Sequence, residues 1–277
     1  MANQEKQIAF ENARKKIVGM DRQRLGIGTL SEKTVHAVLK NYFAPDEDNQ
    51  EIPINEYVAD IYKGGEIFEI QTRQFYKMRE KLRTFLPQYP VTICYPIAKE
   101  KNLIWIDPET GDLSEKRKSP MKQSVYSVFP ELYSIREFLK DPNLRFRLVL
   151  MAMDEYKIAD GWGKKNHKNP TKFDRIPTDL LEEVEINCLE DYMQFVPIDL
   201  QDEFTAKDFA KSAHIKVDLA SVVLNILFFV VVVALPVVPA GVFCQEQSLG
   251  EPSLFPGIHL VHCGLLSHLH NFRAALD

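Results

Sequence analysis

Asp60 and Glu69 are the residues whose type and placement imply chemistry. They lie in the stretch from Tyr57 to Thr72, where two strand-like runs, 57–62 and 66–72, flank Gly64-Gly65. A two-residue Gly-Gly turn accepts the positive φ angles of the tight primed turns that join antiparallel strands. With Lys63 paired to Glu66, the register puts Asp60 directly across from Glu69 and Val58 across from Gln71. Like charges opposed on a sheet face repel, so a pair kept there calls for a cation between them, and a divalent metal would serve. Glu69 and Gln71 share one face of their strand, while Phe68 and Ile70 point to the other, toward a core. A solvated outer face with an ordinary Asp and Glu is the plainer reading of the same pattern.

The elements that would position this hairpin are legible on both sides of it. Val35, Val38, Leu39, Tyr42 and Phe43 recur at helical spacing, and Thr29 with Glu32 forms a capping box ahead of them. His36 falls on a partly buried flank of that helix. Glu51 to Ile54 is a short strand that bends at Asn55-Glu56 into the hairpin. Phe75, Met78, Leu82, Phe85 and Leu86 trace a second helix ending at Pro87, and Val91 to Tyr95 is a buried strand between Pro90 and Pro96. The order is helix, three strands, helix, strand.

That order, with Asp60 on the second strand and Glu69-Ile70-Gln71 on the third, resembles the PD-(D/E)XK nuclease superfamily over about residues 26–97. The resemblance implies an α/β fold, a restriction-endonuclease-like mixed sheet flanked by helices. It also implies Mg²⁺ (or Mn²⁺) bound by Asp60, Glu69 and the carbonyl of Ile70, with Glu32 as an auxiliary acid, and hydrolysis of DNA phosphodiester bonds. Gln71 stands where the family has lysine, although some restriction enzymes of the superfamily carry Gln there. Gln holds a water but brings no positive charge, so either Arg73 or Lys77 compensates or the activity is weakened or lost.

Further along, 102–107 and 113–118 read as a second hairpin that ends in the basic cluster Lys116-Arg117-Lys118. Residues 131–139 form a short helix and 144–153 a strand that extends the sheet. Residues 161–170 are a basic loop in which Trp162, Lys164 and Lys165 could clamp nucleic acid. Thr205 caps a helix over 204–214, and after a turn at Ile215-Lys216 a second helix starts at Val217 or Asp218. This pair resembles the helix-turn-helix half of a winged-helix domain, and the two parts together resemble a group of uncharacterised bacterial proteins. No wing follows, since 228–241 is almost wholly apolar.

The expected organisation is a polar leader (1–25), a nuclease-like α/β domain (26–186), a linker (187–203), a small α-helical, helix-turn-helix-like or hydrophobic segment (204–235) and an irregular tail (236–277). The uncharged run 219–245 is long enough to span a bilayer; it also fits a buried helix and strand, or a tail from about Val231 that departs from the native reading frame. The net charge of -5 means that DNA contact must come from local patches. Four scattered cysteines with no CxxC pair and a polar start indicate the cytoplasm. The His and Cys residues of the tail match no zinc spacing, and phosphate-loop, Rossmann and common protease motifs are absent. The expected function is metal-dependent DNA cleavage; the alternatives are a catalytically inactive DNA-binding or regulatory protein of the same fold and a cytoplasmic domain tethered to a membrane.

Overall fold

The computed structural model describes residues 2–24, 34–159, 171–201 and 204–234. The chain divides into two compact units, one of Met1–Ser127 with Pro142–Glu185 and one of Val128–Asp141 with Ile186–Asp277.

The first unit is α/β and carries a mixed seven-stranded sheet. Its strands are β1 (Gln50–Ile54), β2 (Tyr57–Lys63), β3 (Glu66–Ile70), β4 (Val91–Ile106), β5 (Arg117–Lys118), β6 (Leu144–Ile158) and β7 (Thr171–Ile186). They lie in the order β1-β2-β3-β4-β6-β7, with β5 on β4. The first three form an antiparallel meander, and β4 then runs parallel to β3 and β6 parallel to β4. Gly64 and Gly65 turn the β2–β3 hairpin at φ 62 and 84, a region closed to most side chains, and an added Cβ at either would meet no neighbour. Gly65→Ala therefore carries only the backbone penalty, expected as a loss of about 1 kcal/mol in urea unfolding. Gly64→Asn should be nearly neutral, because Asn tolerates that conformation.

Helices α1 (Ala2–Arg24) and α2 (Thr34–Phe43) pack together and share a core cluster with the sheet. Residues 1–25, expected as a polar leader, are thus mostly a helix whose Phe10 and Ala13 are buried. The sequence signal was weak because so narrow an apolar stripe runs through an otherwise charged helix. Phe68 and Ile70 join that cluster, so by alternation Glu69 faces the opposite side of β3, toward α3 (Arg79–Phe85).

Strand β4 was expected to stop before Pro96, and it does not. The β3–β4 ladder ends at Ile70↔Cys94, and no strand lies on that side of β4 again until β5 pairs at Asn102 and Leu103. Cys94 C=O accepts from Gln71 N–H on this side, and residues two apart point the same way, so the N–H that Pro96 lacks is one no ladder needs. Two residues on, the Gln123 side chain satisfies the Ala98 N–H at 3.0 Å. Residues 102–106, expected as a separate strand, are the far end of β4, and they pair with β5 as that second hairpin requires.

The second unit is helical among its described residues: α4 (Phe129–Ser134), α5 (Ala206–Ser212), α6 (Val217–Ala234) and 3₁₀ turns at Arg136–Phe138 and Glu190–Phe195. The helix expected at 131–139 belongs here rather than to the sheet unit. Residues 187–203, expected as a linker, bury Tyr192 and Phe195, with the Phe195 ring edge-on to Phe129 at 5.2 Å. Thr205 and Asp208 cap α5 reciprocally, and α5 meets α6 at 104°. Lys140 and Arg136 lie over the Phe229 ring of α6 at 3.9 and 5.5 Å. Among the described residues no single helix is long and apolar enough to cross a membrane. The rest of the candidate span 219–245 and the tail 236–277 lie outside the described residues.

Candidate functional site

Lys63 pairs with Glu66, Tyr62 with Ile67 and Ile61 with Phe68, so Asp60 and Glu69 occupy the next opposed positions. There the regular ladder stops. Ile70 N–H donates to Asp60 Oδ2 at 2.8 Å, and Asp60 N–H donates to Glu69 Oε1 at 3.4 Å. Side-chain oxygens thus take over where backbone carbonyls would have accepted. Because the Asp60 carboxylate sits between the strands, it also meets His36 Nε2 of α2 at 3.2 Å. On the α3 side, Lys81 Nζ donates to Glu69 Oε2 at 2.6 Å and to the Val58 carbonyl at 2.7 Å. A cation does accompany the opposed carboxylates, and it is an ammonium from α3.

The two carboxyls are driven apart in ionisation. Burial, then the charge of Asp60, push the Glu69 pKa up to about 7 against the pull of Lys81. Burial also pushes Asp60 upward, but the hydrogen bond and charge of His36, the Ile70 N–H and the Lys81 charge outweigh it, so Asp60 is held below its usual value. Paired groups separated in this way are the arrangement that acid–base and metal sites use.

The other expected residues are distributed unevenly. Gln71 turns its side chain back onto the Arg73 carbonyl at 2.7 Å, away from the pair. Arg73 and Lys77 are exposed, and the ammonium that meets Glu69 is that of Lys81. Lys116 is held by buried Asp154 at 2.6 Å and Lys118 by Glu100 at 3.4 Å, while Arg117 lies exposed on β5. Glu32, Lys164 and Lys165 lie outside the described residues. Sequence reasoning missed His36 as a partner of Asp60 and missed Lys81 altogether. The one available signal for Lys81 was its place beside Leu82 and one turn before Phe85, whose ring lies 5.6 Å from its ammonium.

Beyond the end of β3, where β4 has lost its neighbour, a cavity of about 250 Å³ opens beside Thr72, Arg73, Pro96 and Gln123. The first turn of α2 touches both places: His36 meets Asp60, Val35 lines the cavity, and the Thr34 hydroxyl donates to Asp174 on the cavity wall.

Residues 33–187, from α2 through β7, match the profile of a family described as Domain of unknown function (DUF8091). The chain belongs to the DUF8091 family. The DUF8091 region contains both carboxylates, Lys81 and every residue of the cavity wall. An uncharacterized protein of Treponema pallidum (strain Nichols) is 28% identical over 150 residues, 54% of this chain and 59% of the relative. The match thus spans less than two thirds of that relative's length. No solved structure matches.

Proposed function

We propose that this DUF8091 chain is a metal-dependent nuclease that hydrolyses DNA phosphodiester bonds at the Asp60–Glu69 pair. The observation that carries the reading is the split ionisation of two carboxyls at opposed strand positions, each held by a different helix. The restriction-endonuclease-like arrangement is supported by an antiparallel meander followed, through a helix, by a parallel strand.

The donor set suits Mg²⁺ or Mn²⁺. Among the described residues the side-chain contacts of Asp60 with His36 and the Ile70 N–H are both made through Oδ2, and Oδ1 is the oxygen offered to a ligand. Ile70 directs its N–H toward Asp60, and its carbonyl lies on the same side of β3. Among the described residues no three His, Cys, Asp or Glu side chains converge as a metal cage. Mg²⁺ uses one or two carboxylates and keeps several waters, so two carboxylates and a carbonyl suffice. A bound ion lowers the pKa of its water and offsets charge on the phosphate. The chain's own part is positional: His36 orients Asp60, and Lys81 keeps Glu69 available as an anion in a buried setting. Gln71 can hold a water in place of the missing lysine only after its amide leaves the Arg73 carbonyl that it bonds here.

DNA contact is assigned to the sheet unit, because α6 carries no Lys or Arg and buries Val223, Ile226, Leu227 and Val230. The free thiols of Cys94 and Cys188 accord with a reducing, cytoplasmic setting. The second reading, a catalytically inactive DNA-binding protein of the same fold, is favoured by the commitment of Glu69 to Lys81 and of Gln71 to its own loop. The deciding experiment is cleavage of supercoiled plasmid and of single-stranded DNA by the full chain in Mg²⁺ or Mn²⁺, beside Asp60→Asn and Glu69→Gln. Cutting that both variants abolish supports the nuclease. A folded wild type that shifts DNA in a gel and cuts none of it replaces the nuclease with the binding protein.

A further inference from the structure

We infer that the cavity past the end of β3 binds a nucleoside phosphate, taken one nucleotide at a time, through groups separate from the carboxylate pair. Its volume of about 250 Å³ lies just below the usual range of ligand pockets, which limits an occupant to about one nucleotide. Its wall has two characters: Tyr95, Pro96 and Phe173 are flat and apolar, whereas Arg73, Lys172 and Arg175 are cationic. A nucleotide presents the same two: a base that stacks on aromatic faces and a phosphate that takes charge-assisted hydrogen bonds from guanidinium and ammonium groups. Asp174, already accepting from Thr34, adds an acceptor on the same wall for a sugar hydroxyl.

The positive charge is built in from behind. Glu155 is 1% exposed and forms ion pairs with Lys101 at 2.8 Å, Lys157 at 3.6 Å and Arg175 at 3.8 Å. Lys172 also lies within the field of Glu155, beside the three cations that pair with that carboxylate. Burial, together with the charges of Arg175, Lys101 and Lys157, lowers the Lys172 pKa below its ordinary value despite Glu155. A second anion at this place relieves that excess, and the cavity is where it can enter. A free phosphate would leave the aromatic wall unused, and an apolar ligand would leave the cations unused.

Nucleotide binding here is independent of the nuclease reading, and its test is run without metal. Binding of adenosine monophosphate and of a 5′-phosphorylated tetranucleotide to the full chain is measured by calorimetry in EDTA. The same titrations are made on Glu69→Gln, so that failure of cleavage and failure of binding are told apart. Saturable binding of either probe is expected, weakened about tenfold or more in Arg73→Gln and Lys172→Gln, since a hydrogen bond to a charged group is worth enough for that factor. Thermal melting checks that both variants fold. Phe173→Ala, exposed and uncharged, should weaken the same binding. Tighter binding of the mononucleotide identifies a free nucleotide as the ligand, and tighter binding of the tetranucleotide identifies a strand. The inference is overturned if neither probe saturates, if the variants bind as the wild type does, or if inorganic phosphate binds as tightly as the nucleotide.

Discussion

Asp60→Asn and Glu69→Gln are each expected to lower metal-dependent cleavage by roughly 10³-fold, the order seen when a preorganised electrostatic group is removed. Both replacements keep the shape of the side chain. In Asp60→Asn the new amide oxygen would still accept from the Ile70 N–H, and in Glu69→Gln it would still accept from the Asp60 N–H. The hairpin should therefore persist, and the loss should be in chemistry. The pH dependence carries the sign. Glu69 must be ionised to hold a cation, and in the metal-free protein it titrates at about 7. Below that value the ion competes with a proton, so metal affinity should fall by about tenfold per pH unit and flatten above it. At subsaturating Mn²⁺ the wild-type rate should therefore rise from about pH 6 to about pH 8. A rate that is flat across this interval, or a Glu69→Gln enzyme as fast as the wild type, would remove Glu69 from the site.

Lys81→Met is expected to cost roughly 3 kcal/mol of stability at about pH 8, because it leaves a buried carboxylate without its partner. Glu69 is 5% exposed, and Lys81 is the ammonium that meets it. In the unfolded chain Glu69 ionises at an ordinary carboxyl pKa, whereas in the folded protein it does so at about 7. Between those values the folded state holds the extra proton, and the contribution of this group to stability falls as the pH rises through the window. Lys81 pulls the folded value down, so its removal widens the window upward and the penalty grows with pH. Urea unfolding at about pH 5.5 and about pH 8 should show a small loss at the lower value and a large one at the higher. Adding Glu69→Gln to Lys81→Met should recover much of it, since the uncompensated charge is then gone. Equal losses at both pH values would mean that Lys81 acts through packing on Phe85 rather than through Glu69.

The parts of this molecule legible in its sequence are those set by neighbours in the chain. Gly64-Gly65 needs positive φ, a two-residue turn leaves one register, and that register opposes Asp60 to Glu69 with no knowledge of the rest of the fold. The same local logic located the Thr205 cap of α5 and the break before Val217, because capping and helix termination depend on a few adjacent residues.

What surrounds the pair was decided by contacts between distant segments. His36 and Lys81 reach it from helices on opposite faces of the sheet, across separations of 24 and 12 residues. No periodicity in one segment reports which flank of a helix will lie over which strand. Pro96 reads as a strand end, yet it is harmless where β3 has already stopped, and only the arrangement of strands determines that. The four cations around Glu155 come from three strands and look like scattered surface charge until the sheet gathers them. Electrostatic strength depends on burial and on distance through space, and a linear sequence records neither.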